Sequence, residues 1–310
     1  MKLATLTMNP TIDVSFEVDR LGHTHKIRGR AERHDPGGGG INVARVFIRL
    51  GGHARCFYMT GGATGTALDA MIDLHLLVRH RIPIRGETRV STSIFETSTD
   101  RQYRFVTEGP EITEEEWNSC LEAVETADCN YLVASGSLPR GVPQDFYRRV
   151  AAVAARRGIR FILDSSGPAL AKGLEGSNVY LVKPSTSELE GLAGERLDTN
   201  EKIVEAARRI IQAGQAENVA VTMGSDGAFL VNAEGALHLP AIKVESFSAV
   251  GAGDSFLAGM VHRLALGHPI DDAFQFGVAA GAAAAITSGT DLARPDDIQR
   301  LYAATARAVR

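Results

Sequence analysis

Residues 250–259, VGAGDSFLAG, place an acid directly behind two glycines at the start of a predicted helix. The first amides of a helix lack intrahelical partners and carry a partial positive charge, so they attract an anion. An aspartate can also cap a helix, but a plain cap does not need the two glycines. If the amides of residues 251–253 bind a transferring phosphoryl group, Asp254 can take the proton of an attacking hydroxyl. A base beside an anion hole is typical of a kinase.

Six loops that follow predicted strands are rich in glycine or small polar residues. Ligands of open parallel sheets bind at the carboxyl ends of the strands, where such loops meet. Glycine lets backbone amides approach a phosphate closely. One such loop would only connect two elements, whereas six at one edge predict a binding surface. They span residues 9–13, 61–65, 135–141, 164–167, 182–188 and 222–227.

Several common active-site patterns are absent from the sequence. It contains no GxxxxGK[ST] and no GxGxxG, which excludes the common P-loop and the simplest dinucleotide-binding fingerprint. A GxSxG nucleophile elbow is also missing, and the histidines lack the HExxH spacing of a zinc site. The glycine loops therefore require a different phosphate-binding fold.

Predicted strands and helices alternate along most of the chain, which indicates βαβ units and a mostly parallel sheet covered on both faces. Residues 41–50 have apolar side chains at helical spacing, and Thr113 with Glu116 matches a capping box ahead of a helix to about residue 127. No linker or repeat divides the chain, so we expect one domain over residues 1–310. The other predicted elements are strands at 2–8, 130–136, 159–164 and 218–224, and helices at 144–157, 199–213 and from 252 to about 308.

Two segments alternate apolar with polar residues and lack the helical period. They cover residues 14–33 and 88–106, and they read as paired strands outside the main sheet. We expect a small β-sheet lid built from insertions at approximately 13–34 and 86–107. An exposed strand edge with an apolar face invites pairing, so the alternation through Val14 and Phe16 predicts a homodimer formed through this lid.

Composition narrows the class of protein. The chain is 44% hydrophobic and 23% charged, with a formal net charge of −4, so nothing indicates a nucleic-acid surface. No apolar run approaches the roughly 20 residues of a membrane helix. Three widely spaced cysteines predict free thiols in a reducing compartment. We expect a cytoplasmic protein that binds neither nucleic acid nor membrane.

The motifs taken together resemble the ribokinase-like, or PfkB-type, carbohydrate kinases. PGGGGINVAR at 36–45 and VGAGDSFLAG at 250–259 are similar to the two signatures of that family. GGATG, QYRFV, SGSLPRGV, DSSGPAL, VKP and GVAAGAAAA follow the family's order along the whole chain. The four glycines, QYRFV and DSSG are most similar to minor-type bacterial 6-phosphofructokinases. The resemblance implies a doubly wound sheet with a β-sheet lid, and ATP-dependent phosphorylation of fructose 6-phosphate to fructose 1,6-bisphosphate.

The resemblance also implies a role for each matching residue. Asp254 would be the general base for the C1 hydroxyl, and the amides of Gly251, Ala252 and Gly253 would hold the γ-phosphate. The other implied residues would bind the sugar (Asp13, Gly38, Gly39, Asn42 and Ser137), the substrate's own phosphate (Lys26, Arg89 and Arg104), and ATP with its magnesium (Lys183, Glu188, Thr222, Gly224 and Gly227). Solvated charges on a flap are the alternative interpretation of the three cations.

Two positions depart from the family pattern. The family usually has Asn-x-x-Glu after its Lys-Pro pair, where both side chains order hydrated Mg²⁺, whereas this chain has Ser185 with Glu188. We expect Ser185 to act through water as the asparagine does, with altered magnesium affinity. Asp291 stands where close relatives would have a basic residue. Some members bind a monovalent cation near this loop, and the acid leaves such a site open.

Three other acceptors and one other class of function remain open at this point. Tagatose 6-phosphate, fructose 1-phosphate or an unphosphorylated sugar could replace fructose 6-phosphate as the acceptor. The predicted cation cluster of the lid favours a phosphorylated one. A sugar-phosphate sensor without catalysis is a different class, and the intact base and anion hole argue against it, because a binder needs no base.

Overall fold

The computed structural model describes residues 2–23, 25–245, 250–287 and 289–308, with side chains described as far as 305. Its strands are β1 (Leu3–Thr7), β2 (Thr11–Val18), β3 (Arg30–Gly37), β4 (Ala54–Thr60), β5 (Val78–Pro83), β6 (Arg89–Glu96), β7 (Arg101–Phe105), β8 (Tyr131–Ser135), β9 (Arg160–Asp164), β10 (Val179–Val182), β11 (Ala216–Thr222), β12 (Ala228–Asn232) and β13 (Gly235–Leu239). Its helices are α1 (Gly39–Arg49), α2 (Gly62–Leu74), α3 (Glu114–Glu125), α4 (Phe146–Arg156), α5 (Gly167–Leu174), α6 (Thr186–Ala193), α7 (Asn200–Gln212), α8 (Ala252–Ala265), α9 (Ile270–Ala285) and α10 (Pro295–Ala308).

The main sheet has nine strands in the order β13-β12-β11-β10-β9-β8-β1-β4-β5. All neighbours from β11 to β5 pair in parallel, and β12 and β13 add an antiparallel hairpin at one edge. The predicted α/β class with a mostly parallel sheet is confirmed. The six loops predicted as a binding surface follow β1, β4, β8, β9, β10 and β11, so they meet at one edge of the sheet.

Helices cover both faces of this sheet because its central strands are apolar on both sides. Every residue of β1 and β8 is buried. Successive side chains of a strand point to opposite faces, so Leu132 joins one core cluster with Phe146 while Val133 joins the other with Phe256. The second cluster holds α1, α8 and α9 against the sheet, and it therefore fixes where α8 begins.

A separate four-stranded sheet has the order β3-β2-β6-β7. β2 pairs in parallel with β6, and the other two pairings are antiparallel. Residues paired in register share a face. One face is polar and has Ser15, Ser93 and Arg104 in a row, and the opposite face is apolar and has Phe16, Ile94 and Tyr103 in a row. The predicted paired strands outside the main sheet are confirmed, and the action of this sheet as a lid stays a prediction.

Several predicted boundaries need correction. The helix predicted at 41–50 begins earlier, at Gly39, because Gly38 takes φ +111° and starts it inside the glycine run. Most of the loop expected at 61–65 is the first turn of α2. β3 continues to Gly37, beyond the predicted end of its segment. The capping box of Thr113 and Glu116 is confirmed, with α3 ending at residue 125. The hairpin of β12 and β13 was not predicted.

The cysteine prediction is confirmed in part. Cys56 and Cys120 are buried and Cys129 is partly buried, and all three are free thiols. The reducing compartment stays a prediction from the sequence. Across the described ranges, no helix combines the length and the apolar character needed to cross a membrane.

Candidate active site

The amino terminus of α8 lies at the loop edge of the main sheet. Gly251 caps it with φ +72°, a left-handed conformation that favours glycine, and a Cβ there would lie 2.4 Å from Leu292 Cδ2. The helix begins at Ala252, and Asp254 lies in its first turn. The Ser255 amide donates to the Gly251 carbonyl over 2.8 Å, so the preceding helical amides remain available to an anion.

Asp254 is partly buried and has one polar partner on α1. The Asn42 Nδ2 group donates to Asp254 Oδ2 over 2.9 Å. Burial raises the pKa of Asp254 to about 6, and the negative charge of Asp164 adds to the rise, while Asn42 and the Lys183 cation oppose it. A carboxylate with this pKa remains ionised at neutral pH and is a stronger base than an ordinary aspartate.

A buried ion pair lies beside the same helix end. Lys183 Nζ contacts Asp164 Oδ1 at 3.0 Å, and Ser135 Oγ donates to Asp164 Oδ2 over 3.1 Å. A Cβ on Gly253 would lie 3.4 Å from Lys183 Nζ, so the cation adjoins the predicted anion hole. Burial lowers the pKa of Lys183, but the charges of Asp164, Asp254 and Glu188 outweigh it and leave that pKa raised. The lysine is therefore charged.

The sequence analysis did not single out Asp164 or Ser135. Both lie at the carboxyl ends of adjacent strands, β8 and β9, which are paired at these two residues. That position at the loop edge was the available signal. It is weak by itself, because a small polar residue ends many strands.

The glycine run at 37–40 brings α1 against this edge. A Cβ on Gly37 would lie 2.0 Å from Asp13 Oδ2, and a Cβ on Gly39 would lie 2.0 Å from Ser135 Oγ. Larger residues would push α1 away from both side chains. The glycines therefore allow Asn42, in the first turn of α1, to reach Asp254.

The polar face of the small sheet contributes Asp13 and two arginines. Burial raises the pKa of Asp13 to about 6, although the charges of Arg104, Arg89 and Arg45 lower it. Arg89 donates to the carbonyl oxygens of Thr107 and Asn9, each over 2.8 Å. Arg104 is exposed. The charges of two predicted phosphate ligands thus act on the predicted sugar ligand.

Two predicted substrate ligands are less well placed. Lys26 is exposed in the segment between β2 and β3, and no contact recorded among the described residues brings it to Arg89 or Arg104. Ser137 is also exposed, and its Oγ accepts a long bond of 3.4 Å from Asn9 Nδ2. The role of each residue stays a prediction.

The predicted nucleotide-binding residues lie together after β10 and β11. Ser185 pairs with Thr222 in an isolated bridge, and the Thr222 amide donates to the Pro184 carbonyl over 3.0 Å. Gly224 and Gly227 both have positive φ, and a Cβ on Gly227 would lie 2.1 Å from the Leu239 carbonyl oxygen. The 3₁₀ turn of Gly224–Asp226 therefore needs glycine for steric reasons in addition to any contact with a nucleotide.

Ser185 and Glu188 have a structural role of their own. Ser185 is the N-cap of α6, and its hydroxyl accepts the Glu188 amide over 3.3 Å. Glu188 Oε2 accepts both the Ser185 amide at 2.8 Å and the Ser185 hydroxyl at 2.9 Å. This is a complete capping box.

In the part of the chain that the structure describes, no group of three or more His, Cys, Asp or Glu side chains could hold a metal.

Asp291 is buried between two arginines. Arg49 Nη2 contacts its Oδ1 and Arg294 Nη2 contacts its Oδ2, each at 3.1 Å. The neighbouring Thr290 hydroxyl donates to Asp35 Oδ2 over 2.7 Å. The acid that departs from the family pattern is therefore balanced by one cation on α1, Arg49, and by one that directly precedes α10, Arg294.

Known proteins are similar to this chain over almost its full length. The model described as "pfkB family carbohydrate kinase" matches residues 6–297. An ATP-dependent 6-phosphofructokinase isozyme 2 of Mycobacterium tuberculosis is 40% identical over 97% of this chain and 89% of its own. A 1-phosphofructokinase of Bacillus subtilis is 29% identical over 96% of both. The crystal structure of phosphofructokinase-2 from Escherichia coli in complex with potassium matches with a TM-score of 0.95 and 36% identity over 99% of each chain. The resemblance seen in the sequence is thus confirmed, and the chain belongs to the pfkB family of carbohydrate kinases.

Proposed function

We propose that this chain is an ATP-dependent 6-phosphofructokinase that transfers a phosphoryl group to the C1 hydroxyl of fructose 6-phosphate. The observation that carries the proposal is the placement of Asp254, which is held by Asn42 over 2.9 Å at the open end of α8. The higher identity to the 6-phosphofructokinase of M. tuberculosis, 40% against 29% for the 1-phosphofructokinase of B. subtilis, favours this acceptor.

In the proposed reaction, Asp254 accepts the proton of the C1 hydroxyl as its oxygen attacks the γ-phosphorus of ATP. The amides of residues 251–253 and the Lys183 ammonium stabilise negative charge on the transferred group. Asp13 accepts a hydrogen bond from the sugar, and Asn42 keeps the base in place. The residues of the site therefore act by positioning and charge, with one proton transfer.

Magnesium would enter this site with ATP. Mg²⁺ keeps most of its waters and binds few protein groups, which fits a site without a cluster of acids among the described residues. Glu188 and Ser185 would act on it through water, with the Oε1 atom of Glu188, since the capping box occupies Oε2. The ion would neutralise charge on the phosphates. A monovalent cation stays part of the proposal without an assigned ligand. Asp291 is not assigned to it, because this carboxylate is already paired with two arginines.

The cations of the small sheet support a phosphorylated acceptor. Arg89 and Arg104 both lower the pKa of Asp13, so their charges reach the predicted sugar site. A phosphate dianion would accept charge-assisted hydrogen bonds from such a pair. Lys26 would join them only if its segment moved or came from a second chain. Tagatose 6-phosphate and fructose 1-phosphate remain the alternative acceptors, and a non-catalytic sensor remains the alternative class.

The apolar face of the small sheet supports the proposed homodimer. Phe105 and Val90 on this face are 56% and 36% exposed, and Phe16 and Ile94 are neighbours in register. A second copy of the same face would cover these side chains. The cytoplasmic location stays a prediction from the sequence.

A coupled assay over a panel of sugars tests the proposed function. The panel contains fructose 6-phosphate, tagatose 6-phosphate, fructose 1-phosphate and fructose, each with MgATP. We expect the highest kcat/KM with fructose 6-phosphate and the lowest with fructose. A preference for fructose would contradict the role of the arginines, and binding without turnover of any sugar would indicate the sensor.

A further inference from the structure

Asn42 contacts two groups, and only one orientation of its amide satisfies both. Its Nδ2 donates to Asp254 Oδ2 over 2.9 Å, and its Oδ1 accepts from Arg45 Nη1 over 3.4 Å. With the amide turned over, Nδ2 would face the arginine donors and Oδ1 would face the carboxylate. Both contacts would then be repulsive, because a guanidinium only donates and a carboxylate only accepts.

Arg45 is itself held on several sides. It is 3% exposed, and its Nη2 donates to Asp35 Oδ1 over 2.8 Å while Nη1 donates to the Pro36 carbonyl over 3.0 Å. Asp35 is also buried and accepts the Thr290 hydroxyl over 2.7 Å. The guanidinium is planar and its donors form a fixed fork, so these contacts determine where Nη1 points.

We propose that Arg45, fixed by Asp35, is a positioning residue that keeps the Asn42 amide with its Nδ2 toward the Asp254 carboxylate. Because Asp35 belongs to β3 and Thr290 precedes α10, the orientation depends on the small sheet and on the carboxy-terminal region together. The proposal deepens the proposed function and rests on Asp254 being its base.

The charges around Asp254 determine how the effect would be measured. The charges of Asp164 at the end of β9, Lys183 after β10 and Asp13 on β2 act on it, and Asn42 contacts it from α1. The Asn42 bond lowers the pKa of Asp254, so turning the amide would raise it. A base with a higher pKa is protonated at higher pH, and the acid limb of the rate profile would move upward.

The test replaces arginine by lysine at two positions of α1. Arg45→Lys keeps the charge that acts on Asp13 but loses the fork, and the ammonium has Asp35 as its strongest partner. Arg49→Lys is the matched control, since Arg49 lies one turn further and contacts Asp291 Oδ1 at 3.1 Å and the Leu292 carbonyl at 2.8 Å. The Arg49 side chain donates to the loop before α10 and not to Asn42. The profiles of kcat against pH are compared at saturating MgATP and sugar phosphate.

We expect the acid limb of the Arg45→Lys profile to move up by about one pH unit, with KM for ATP unchanged. At pH values below the limb, this shift lowers kcat by about tenfold. Arg49→Lys should keep the wild-type limb. The phosphate of the substrate also has a pKa near 6. All three enzymes are therefore measured with the same substrate, so that its titration contributes equally to each profile. Superimposable profiles of the folded Arg45→Lys and Arg49→Lys variants would overturn the proposal.

A second variant covers the case in which Arg45→Lys does not fold. Arg45→Met with Asp35→Asn removes both members of the buried ion pair, which costs less stability than removing one. The side chain at position 45 then offers Asn42 no donor, so the same upward shift is expected, and an unshifted limb would overturn the proposal. The Asp254→Asn variant distinguishes failure of Asp254 as the base from failure of Arg45 as the positioning residue. Full turnover in that variant refutes the base, whereas lost turnover with an unshifted Arg45→Lys limb refutes only the role of Arg45.

Discussion

The two sides of the candidate site differ in how their charges are partnered. On the base side, defined as Asn42, Asp164, Lys183 and Asp254, polar atoms contact one another at 2.9 and 3.0 Å. On the phosphate side, defined as Lys26, Arg89 and Arg104, one cation is bound to backbone carbonyls and the other two are exposed.

This difference follows from burial. A buried charge requires a partner within the protein, whereas an exposed cation is satisfied by water until a ligand replaces it. The base side is therefore assembled in the folded chain without substrate. The phosphate side provides cations whose charge the phosphate group of the sugar would neutralise. Substitutions on the base side should consequently change kcat, and those on the phosphate side should change KM.

The largest expected effect is that of Asp254→Asn. The side chain keeps its size and loses its basicity, so we expect kcat to fall by about 10² to 10⁴ with both substrates still bound. Asp271→Asn is the matched control, because Asp271 lies exposed in the first turn of α9. Steady-state kinetics at saturating substrates measure both. Near wild-type turnover in Asp254→Asn would refute the base side as the catalytic one.

Arg89→Ala tests the phosphate side. A charge-assisted contact to a phosphate contributes about 1.5 to 3 kcal/mol, so KM for the sugar phosphate should rise by about 10- to 100-fold while KM for ATP stays within about twofold. Arg85→Ala is the control, since the Arg85 side chain is 81% exposed and pairs only loosely with Glu115 at 3.7 Å. An equal rise in both KM values would mean that Arg89 supports the fold and not the phosphate.

Stability gives an independent measure of the base side. Burial raises the pKa of Asp254 from 3.8 to about 6, so the folded chain binds more protons than the unfolded chain between these values. Ionisation of Asp254 therefore costs the wild type stability as the pH rises through this window, and Asp254→Asn lacks this contribution while that of Asp13 is common to both proteins. Above pH 7 the variant should be more stable by about 1 to 3 kcal/mol, and below pH 4 the difference should vanish. Urea unfolding at pH 4 and pH 8 measures it, and a variant less stable at pH 8 would contradict the cost of ionising Asp254.

The apolar face of the small sheet extends the comparison to a second chain. Phe105→Glu places a charge on this face and should convert the expected dimer into monomers at micromolar concentration. Leu266→Glu is the control, because Leu266 is 62% exposed, against 56% for Phe105, but directly follows α8. Sedimentation velocity measures whether the wild type and each variant are monomers or dimers. A monomeric wild type, or a dimer that survives Phe105→Glu, would reject this face as the interface.

The smallest effect is expected at the capping box of α6. Asparagine caps a helix about as well as serine, so Ser185→Asn should leave Tm unchanged. Its longer amide should order metal-bound water better and lower the free Mg²⁺ needed for half-maximal rate by up to about tenfold. Titration of free Mg²⁺ at fixed MgATP measures this, with Thr113→Asn in the other capping box as the control. Coincident magnesium curves would leave Ser185 and Glu188 with their structural role alone.

Local patterns predicted much of the fold because they depend on neighbouring residues only. The alternation of strands and helices predicted the parallel sheet, and the spacing of Thr113 and Glu116 predicted a cap that the structure contains. The same S-x-x-E spacing occurs at Ser185 and Glu188, so the second capping box was also readable from the sequence. The glycines around Ala252 similarly placed Asp254 in the first turn of a helix.

Contacts between distant segments could not be predicted in the same way. Asn42 and Asp254 are 212 residues apart, and Asp35 and Thr290 are 255 apart. The role of Asn42 at the sugar stays a prediction, and the structure adds its contact with Asp254, which the sequence did not indicate. The sequence by itself determined which residue types stand at the loop edge of the sheet. Only the tertiary structure decided which of them touch, because each pairing requires α1, α8 and the small sheet to pack in one arrangement and bury the charges that then need partners.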